Sequence, residues 1–265
     1  MFDLKILLRL TRVNDYSLQL VLTFLLIFII SPQNLFSYKT IIIFLANFTL
    51  IAFIYVINDV EDAEDDYHNL NKRKRNPIAN GELTKKQGCL IGLLLVLVGL
   101  FLLLLISHLV FFVGLVLTLI GFLYSWKPVR LKSIPIIDLI SHIICLGVLQ
   151  FFIIYLTFRH FDLFIIPFLM IIIPISLMTE IFGELRDFDV DKKSKINNTI
   201  QNFGRFNIKK LLIISSVAVI TGFITILFTI PSEYKIIALL VSVFIGIMVI
   251  NRMNTIFKGY TSLQY

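Results

Sequence analysis

The sequence predicts an all-α fold, a polytopic bundle of transmembrane helices around a central cavity whose site faces the cytoplasm. Three observations predict it. Of 265 residues, 58% are hydrophobic and mean hydropathy is +0.91, whereas soluble domains are about 45–50% apolar. Apolar residues also run in stretches of about 20, the length that crosses a bilayer. Finally, Lys and Arg gather in every second connection between those stretches, the pattern that membrane insertion imposes.

The elements follow in order within a single domain, 1–265. Residues 1–15 set Leu4, Leu7 and Leu8 against Lys5, Arg9 and Arg12, an amphipathic lead-in expected to lie at the interface. They lack a separate apolar core followed by a small-residue cleavage site, so no signal peptide is expected. Eight apolar segments are candidate spans, near 17–36, 40–58, 88–106, 109–126, 134–157, 163–183, 210–230 and 235–251. Several contain Pro or Gly, which spans tolerate. Gly92, Gly99, Gly114 and Gly121 recur at sevens on the third and fourth, as close helix approach requires. The long connections, 59–87 and 187–209, read as cytoplasmic loops.

Charge sets the expected orientation. Cations concentrate before the first span, in 72–86, in 127–132, in 186–210 and at the C-terminus, while the alternate connections carry few, such as Lys39 and Arg159. Both termini and the long loops are therefore expected on the cytoplasmic side of the cell (inner) membrane. The net charge of +7 is accounted for by this asymmetry and by phosphate binding. No basic segment forms an extended soluble face, so no nucleic-acid partner is expected.

Two acidic clusters interrupt the apolar pattern. The first runs from Asn58 to Asp66, and the second includes Glu184, Asp187, Asp189 and Asp191. Acids gathered where helices leave a bilayer mark a functional site by default. Asn58, Asp62, Asp65 and Asp66 fall within about 100° of one another on a helix, and Glu180, Glu184, Asp187 and Asp191 form a narrower stripe. Two facing stripes would repel unless cations lay between them, and hard oxygen donors suit Mg²⁺. Cys89 and Cys145 sit far apart inside spans and read as packing residues. The four histidines are scattered. His142 lies one turn after Asp138, and the pair reads as a structural hydrogen bond that could also line a polar cavity.

These residues resemble the UbiA superfamily of integral-membrane prenyltransferases. Asn58-Asp59-x-x-Asp62-x-x-x-Asp66 is similar to its first aspartate-rich motif, and Asp187-x-x-x-Asp191 to its second, with Glu184 where many members carry another Asp. Asn76-Pro77-Ile78-Ala79-Asn80-Gly81 resembles the segment after the first motif, although Asn76 stands where Arg is usual and Arg75 is adjacent. Tyr124-Ser125-Trp126-Lys127-Pro128 through Lys132 resembles the segment after span four, in the form found in the chlorophyll-synthase, lycopene-elongase and archaeal ether-lipid branches. Members usually have nine spans, and eight are counted here.

The resemblance implies Mg²⁺-dependent transfer of a prenyl group from an allylic diphosphate to a hydrophobic or aromatic acceptor within the membrane. The acceptor could be a quinone precursor, a tetrapyrrole or a lipid. Asp62, Asp66, Asp187 and Asp191 would be catalytic through the metal, with Asn58 and Glu184 completing its ligands. Asn58, Lys72, Arg75, Tyr124, Arg130 and Lys132 would bind substrate. The alternatives are a terpene cyclase on the same scaffold, which would use the diphosphate alone, and a transporter, which would favour acids near mid-membrane.

Overall fold

The computed structural model describes residues 3–193, 196–203 and 208–229, with isolated helical positions between 232 and 247. The described residues form helices joined by turns, with no strand among them. A short α1 (Leu4–Leu10) leads into α2 (Val13–Ile30). α3 (Tyr38–Tyr67) is followed by the short α4 (Leu70–Arg75), then α5 (Lys85–Leu104) and α6 (His108–Ser125). α7 (Ile137–Phe158), α8 (Ile165–Lys193), a short α9 (Thr199–Phe203) and α10 (Ile208–Thr229) complete the described chain. Seven of these are long and apolar enough to cross a membrane, and they coincide with the first seven expected spans. The eighth, near 235–251, lies largely outside the described residues.

Local chemistry explains where the helices begin. Ser37, Ser107 and Asn69 each accept a backbone N–H from the first turn of α3, α6 and α4. Thr84 and Gln87 cap α5 reciprocally, satisfying donors that a helix start leaves unpaired. Gly81, at φ +80, turns the chain between α4 and α5 in a conformation that costs most other residues about 1 kcal/mol or more.

One apolar core draws on every described span: Ile27 from α2, Leu50 from α3, Leu103 from α5, Leu117 from α6, Phe151 from α7, Phe168 from α8 and Ile226 from α10. α3 sits at its centre, packed along α5 and against α2 and α6. Glycine permits that approach. A Cβ on Gly99 would lie 2.4 Å from Leu50 Cδ2, and one on Gly121 2.7 Å from Ile54 Cγ1. The opposite face of α5 exposes Leu93, Leu97, Phe101 and Leu104, a helical stripe suited to lipid.

Two expectations change. α3 does not end at residue 58 but continues to Tyr67, and α8 continues to Lys193. The 59–87 and 187–209 connections are thus partly helical, and both acidic motifs ride on helix ends rather than loops. The cause is length: 30 residues make a helix of about 45 Å, well beyond the ~30 Å hydrocarbon core, so the final turns emerge into polar surroundings. The lead-in also differs, because Arg12 turns inward to an ion pair with Asp59, which is wholly buried.

α7 departs from regular winding at Ile143–Leu149, where the turns widen to π geometry. Such segments are rare and often accompany functional sites. This one carries Cys145 and Leu146, which line the cavity described next.

Candidate active site

α3, α6, α7 and α8 enclose a cavity of about 260 Å³. Asn58, Asp62 and Asp66 line it from α3, and Glu184 and Asp187 from α8. The two acidic clusters, more than 100 positions apart in sequence, therefore share one space. Lys72, Arg75 and Lys132 line it too, with Arg12 and Arg186. Ile54, Gly121, Cys145 and Leu146 supply its apolar lining. Ile54 lies eight residues before Asp62 on α3, about 12 Å along the helix axis. The cavity thus runs from the acidic helix ends into the bundle, where these apolar side chains line it beside Tyr124, His142 and Glu180.

Each acid is held by neighbours. Arg130 donates from Nη2 to Asp62 Oδ1 at 3.0 Å and to Asp65 Oδ2 at 2.8 Å, while Lys132 Nζ pairs with Asp62 Oδ2. Arg130 reaches both from a left-handed backbone, φ +45, in the turn after α6. Partial burial opposes its charge, yet Asp62 and Asp65 hold its pKa above the ordinary arginine value. In the same turn a hydrogen bond to Glu64, 2.8 Å from Nζ, raises Lys127 above the ordinary lysine value. Arg130 is not among the residues lining the cavity, so it meets the acids from behind; Lys132 lines the cavity itself.

Asp66 accepts a 3.0 Å hydrogen bond from Asn76, which is fully buried. Asn76 Nδ2 also reaches the Asp59 carbonyl, and Oδ1 accepts from the Ile78 and Ala79 amides. An arginine could not make this last pair of bonds, because it has no acceptor. Arg75 lines the cavity beside it and pairs with Asp15. Lys72 lines the cavity with both Asp62 and Asp187, and its charge acts on each.

On α8, Arg186 clamps Asp187 through two 2.9 Å bonds. Glu184, 6% exposed, accepts from the Ile200 amide at 3.0 Å, and its other oxygen has no hydrogen-bond partner among the described residues. Asp191 continues the helix, and its side chain lies outside the described residues. Asn58 donates to Ser125 Oγ at 3.2 Å, and Tyr124 donates to Glu180. The expected Asp138–His142 pair does not form. Asp138 instead caps α9 through Thr199, and His142 meets Glu180 and Ser176.

Sequence reasoning missed Arg12, Tyr55, Arg186 and Asn198 as lining residues. The available signal was their type: Arg12 and Arg186 flank apolar segments, where the topological role of cations hides any second role.

Among the described residues, no group of three His, Cys, Asp or Glu side chains is arranged to cage a metal ion unaided. The donor set fits Mg²⁺ in another way. Mg²⁺ is commonly held by one or two carboxylates completed by substrate phosphates, and Asp62, Asp66 and Asp187 present such carboxylates around a space flanked by cations.

A bundle of membrane-length helices enclosing an acid-lined, cation-flanked cavity defines an integral-membrane protein with an internal polar site. The chain belongs to the UbiA prenyltransferase family, whose family model matches residues 20–262. No curated protein matches the sequence. Among solved structures, a UbiA homologue from Archaeoglobus fulgidus bound to GPP and Mg²⁺ has a TM-score of 0.77 at 22% identity, covering 92% of this chain and 86% of that one. The same homologue bound to DMAPP and Mg²⁺ gives 0.76 at 22% identity, covering 92% and 85%. A structure concerned with digeranylgeranylglyceryl phosphate synthase in membranes gives 0.63 at 22% identity, covering 96% and 88%. At these identities the likeness is one of fold.

Proposed function

We propose that this protein transfers a prenyl group from an allylic prenyl diphosphate to a hydrophobic or aromatic acceptor within the membrane, with Mg²⁺ as cofactor. One observation carries the reading: two acidic motifs from distant parts of the chain line a single cavity with Lys72, Arg75 and Lys132, and apolar side chains line the same cavity deeper in the bundle. An allylic diphosphate has the matching polarity. The A. fulgidus homologue, solved with DMAPP or GPP and Mg²⁺, supports the same donor class.

Asp62, Asp66, Asp187 and Asp191 would hold the metal, with Asn58 and Glu184 as further donors. When bound, the metal neutralises charge that builds on the departing diphosphate. Lys72, Arg75 and Lys132 bind the same phosphates, and Arg130 orients Asp62. Ile54, Gly121 and Leu146 shield the allylic carbon from water, so the cation meets an acceptor before it is hydrolysed. By the charge asymmetry of the connections, the polar mouth and both termini face the cytoplasm of a cell membrane.

The experiment is donor turnover by purified protein in detergent, read as release of diphosphate from geranyl diphosphate. Release should require Mg²⁺ and disappear with EDTA. Asp62→Ala and Asp187→Ala should each lower it by about 10²-fold or more, in line with the loss of a preorganised electrostatic group. Turnover indifferent to EDTA and to both substitutions would refute the proposal.

A further inference from the structure

Glu180 and His142 form a polar group inside the bundle that donor binding leaves without a task. Glu180 lies seven residues before Asp187 on α8, about 10 Å deeper along the helix axis. His142 Nε2 stands 3.3 Å from Glu180 Oε2, and Tyr124 donates its hydroxyl to Oε1. Ser176 Oγ lies 3.2 Å from His142 Nδ1 and fixes the ring from its far side. Tyr124, His142 and Glu180 all line the cavity, alongside Leu146 and Cys145. Glu180 and His142 expose only 14% and 12% of their side chains. Carboxylate and imidazole in a membrane interior are costly, so a cavity-lining pair of them is expected to handle a substrate or a proton.

We infer that Glu180, flanked by His142 and reached through Tyr124, accepts the proton that the acceptor releases when the prenyl group is transferred to it. The inference rests on the prenyl-transfer reading. The chemistry requires such a group. The donor C–O bond breaks and its electron pair leaves with the diphosphate. The acceptor oxygen, or an activated ring carbon, then bonds to the allylic carbon and must shed its proton.

The other cavity acids are the donors proposed for the metal, and each is held by a neighbour. Asp62 is bound by Arg130 and Lys132, Asp187 by Arg186, Asp66 by Asn76, and Glu184 by the Ile200 amide. Tyr124 gives its own hydroxyl proton to Glu180 Oε1, and its oxygen lone pairs take the acceptor's proton in turn. The net transfer puts one proton on Glu180, whose second oxygen lies 3.3 Å from His142 Nε2. This is a base oriented by a neighbouring group, within hydrogen-bond reach of a hydroxyl relay.

The test separates donor chemistry from transfer. Purified protein in nanodiscs made with total lipid extract of the source cells receives radiolabelled geranylgeranyl diphosphate and MgCl₂. Donor affinity, diphosphate release and label in the lipid fraction are followed together. Glu180→Gln should keep the donor dissociation constant within about threefold, yet lower labelled lipid relative to released diphosphate by about 10²–10⁴-fold, the usual worth of a positioned base. Formate should restore part of the transfer in Glu180→Ala, a response that a purely structural carboxylate would not give. Thr179→Ala, on the exposed side of the same helix, serves as the neutral control.

Wild-type partitioning in Glu180→Gln would overturn the inference, as would a loss of donor binding in that variant. Wild-type protein that releases diphosphate but labels no lipid would overturn the proton-accepting role of Glu180 while leaving the donor site intact. Wild-type protein that fails to bind the donor would instead sink the prenyl-transfer reading beneath it.

Discussion

Asp62 carries two cations on its two oxygens, and that arrangement fixes what its neighbours can do. Arg130 spans Asp62 and Asp65 from a single nitrogen, whereas lysine offers a point charge on a flexible stem. Arg130→Lys should therefore raise the Michaelis constant for geranyl diphosphate several-fold, because Asp62 loses its fixed orientation. Lys74→Ala should be nearly silent: the residue is exposed, and the backbone carbonyl that Arg9 uses is unchanged by the substitution. Donor titration of both variants in one detergent checks the contrast, and equal constants would remove Arg130 from the site. Asn76 gives a sharper case. Asn76→Ala deletes the hydrogen bonds to Asp66 and to the Asp59 carbonyl and strands buried groups, at a cost of about 1–3 kcal/mol each. A fall in both thermal stability and Mg²⁺-dependent turnover is expected, read by unfolding and by diphosphate release.

At the scale of elements, α3 is the axis on which site and core are both built. Its middle packs against α5 through glycine, and its end carries the first acidic motif. Gly99→Ala places a methyl group 2.4 Å from Leu50 Cδ2 and 2.8 Å from Thr49 Oγ1, so α5 must move or Leu50 must change rotamer. A destabilisation of about 1–3 kcal/mol is expected from this overpacking. Gly92→Ala meets Ile57 Cδ1 at 3.2 Å, the end of a flexible side chain, and should cost less. Detergent-resolved thermal shifts of the two variants test the order. A second joint lies where the turn between α1 and α2 meets α3, at the Arg12–Asp59 pair. Arg12→Ala leaves Asp59 buried without its cation, a loss that typically costs about 3–5 kcal/mol. Arg12→Ala combined with Asp59→Asn should recover much of that stability. A double variant as unstable as the single one would assign the effect to lost packing.

At the scale of the whole molecule, the expected orientation rests on charge alone. A reporter fused before α1 should be cytoplasmic, and one inserted at residues 159–163, between α7 and α8, should be on the opposite side. Both reporters on one side would overturn the topology and remove the cytoplasmic placement of the site. The seven apolar helices and the two acidic stripes were legible because their causes are local. Bilayer crossing needs a fixed apolar length, and helical spacing of Asp62 with Asp66, or of Glu184 with Asp187, needs only residue order. The extension of α3 to Tyr67 was harder to read, because a charged helix end and a charged loop have the same composition. The inward turn of Arg12 was equally hidden, since an arginine near a bilayer has a topological role that its sequence position cannot separate from an ion pair.

By itself, then, the sequence determined the all-helical membrane class, the approximate positions of the spans, and the two acidic motifs with their oxygen-donor chemistry. Only the tertiary structure decided which residues share the cavity. It brought Asp62 and Asp187 to one space, set Arg130 behind the acids, and gave Asn76 the task of holding Asp66. It also joined Glu180 to His142 and Tyr124, from three different helices. The physical reason is the range of the interactions. Hydrophobic length and helical period act between near neighbours along the chain, whereas ion pairs and cavity walls depend on how whole helices pack, and no local pattern records that packing.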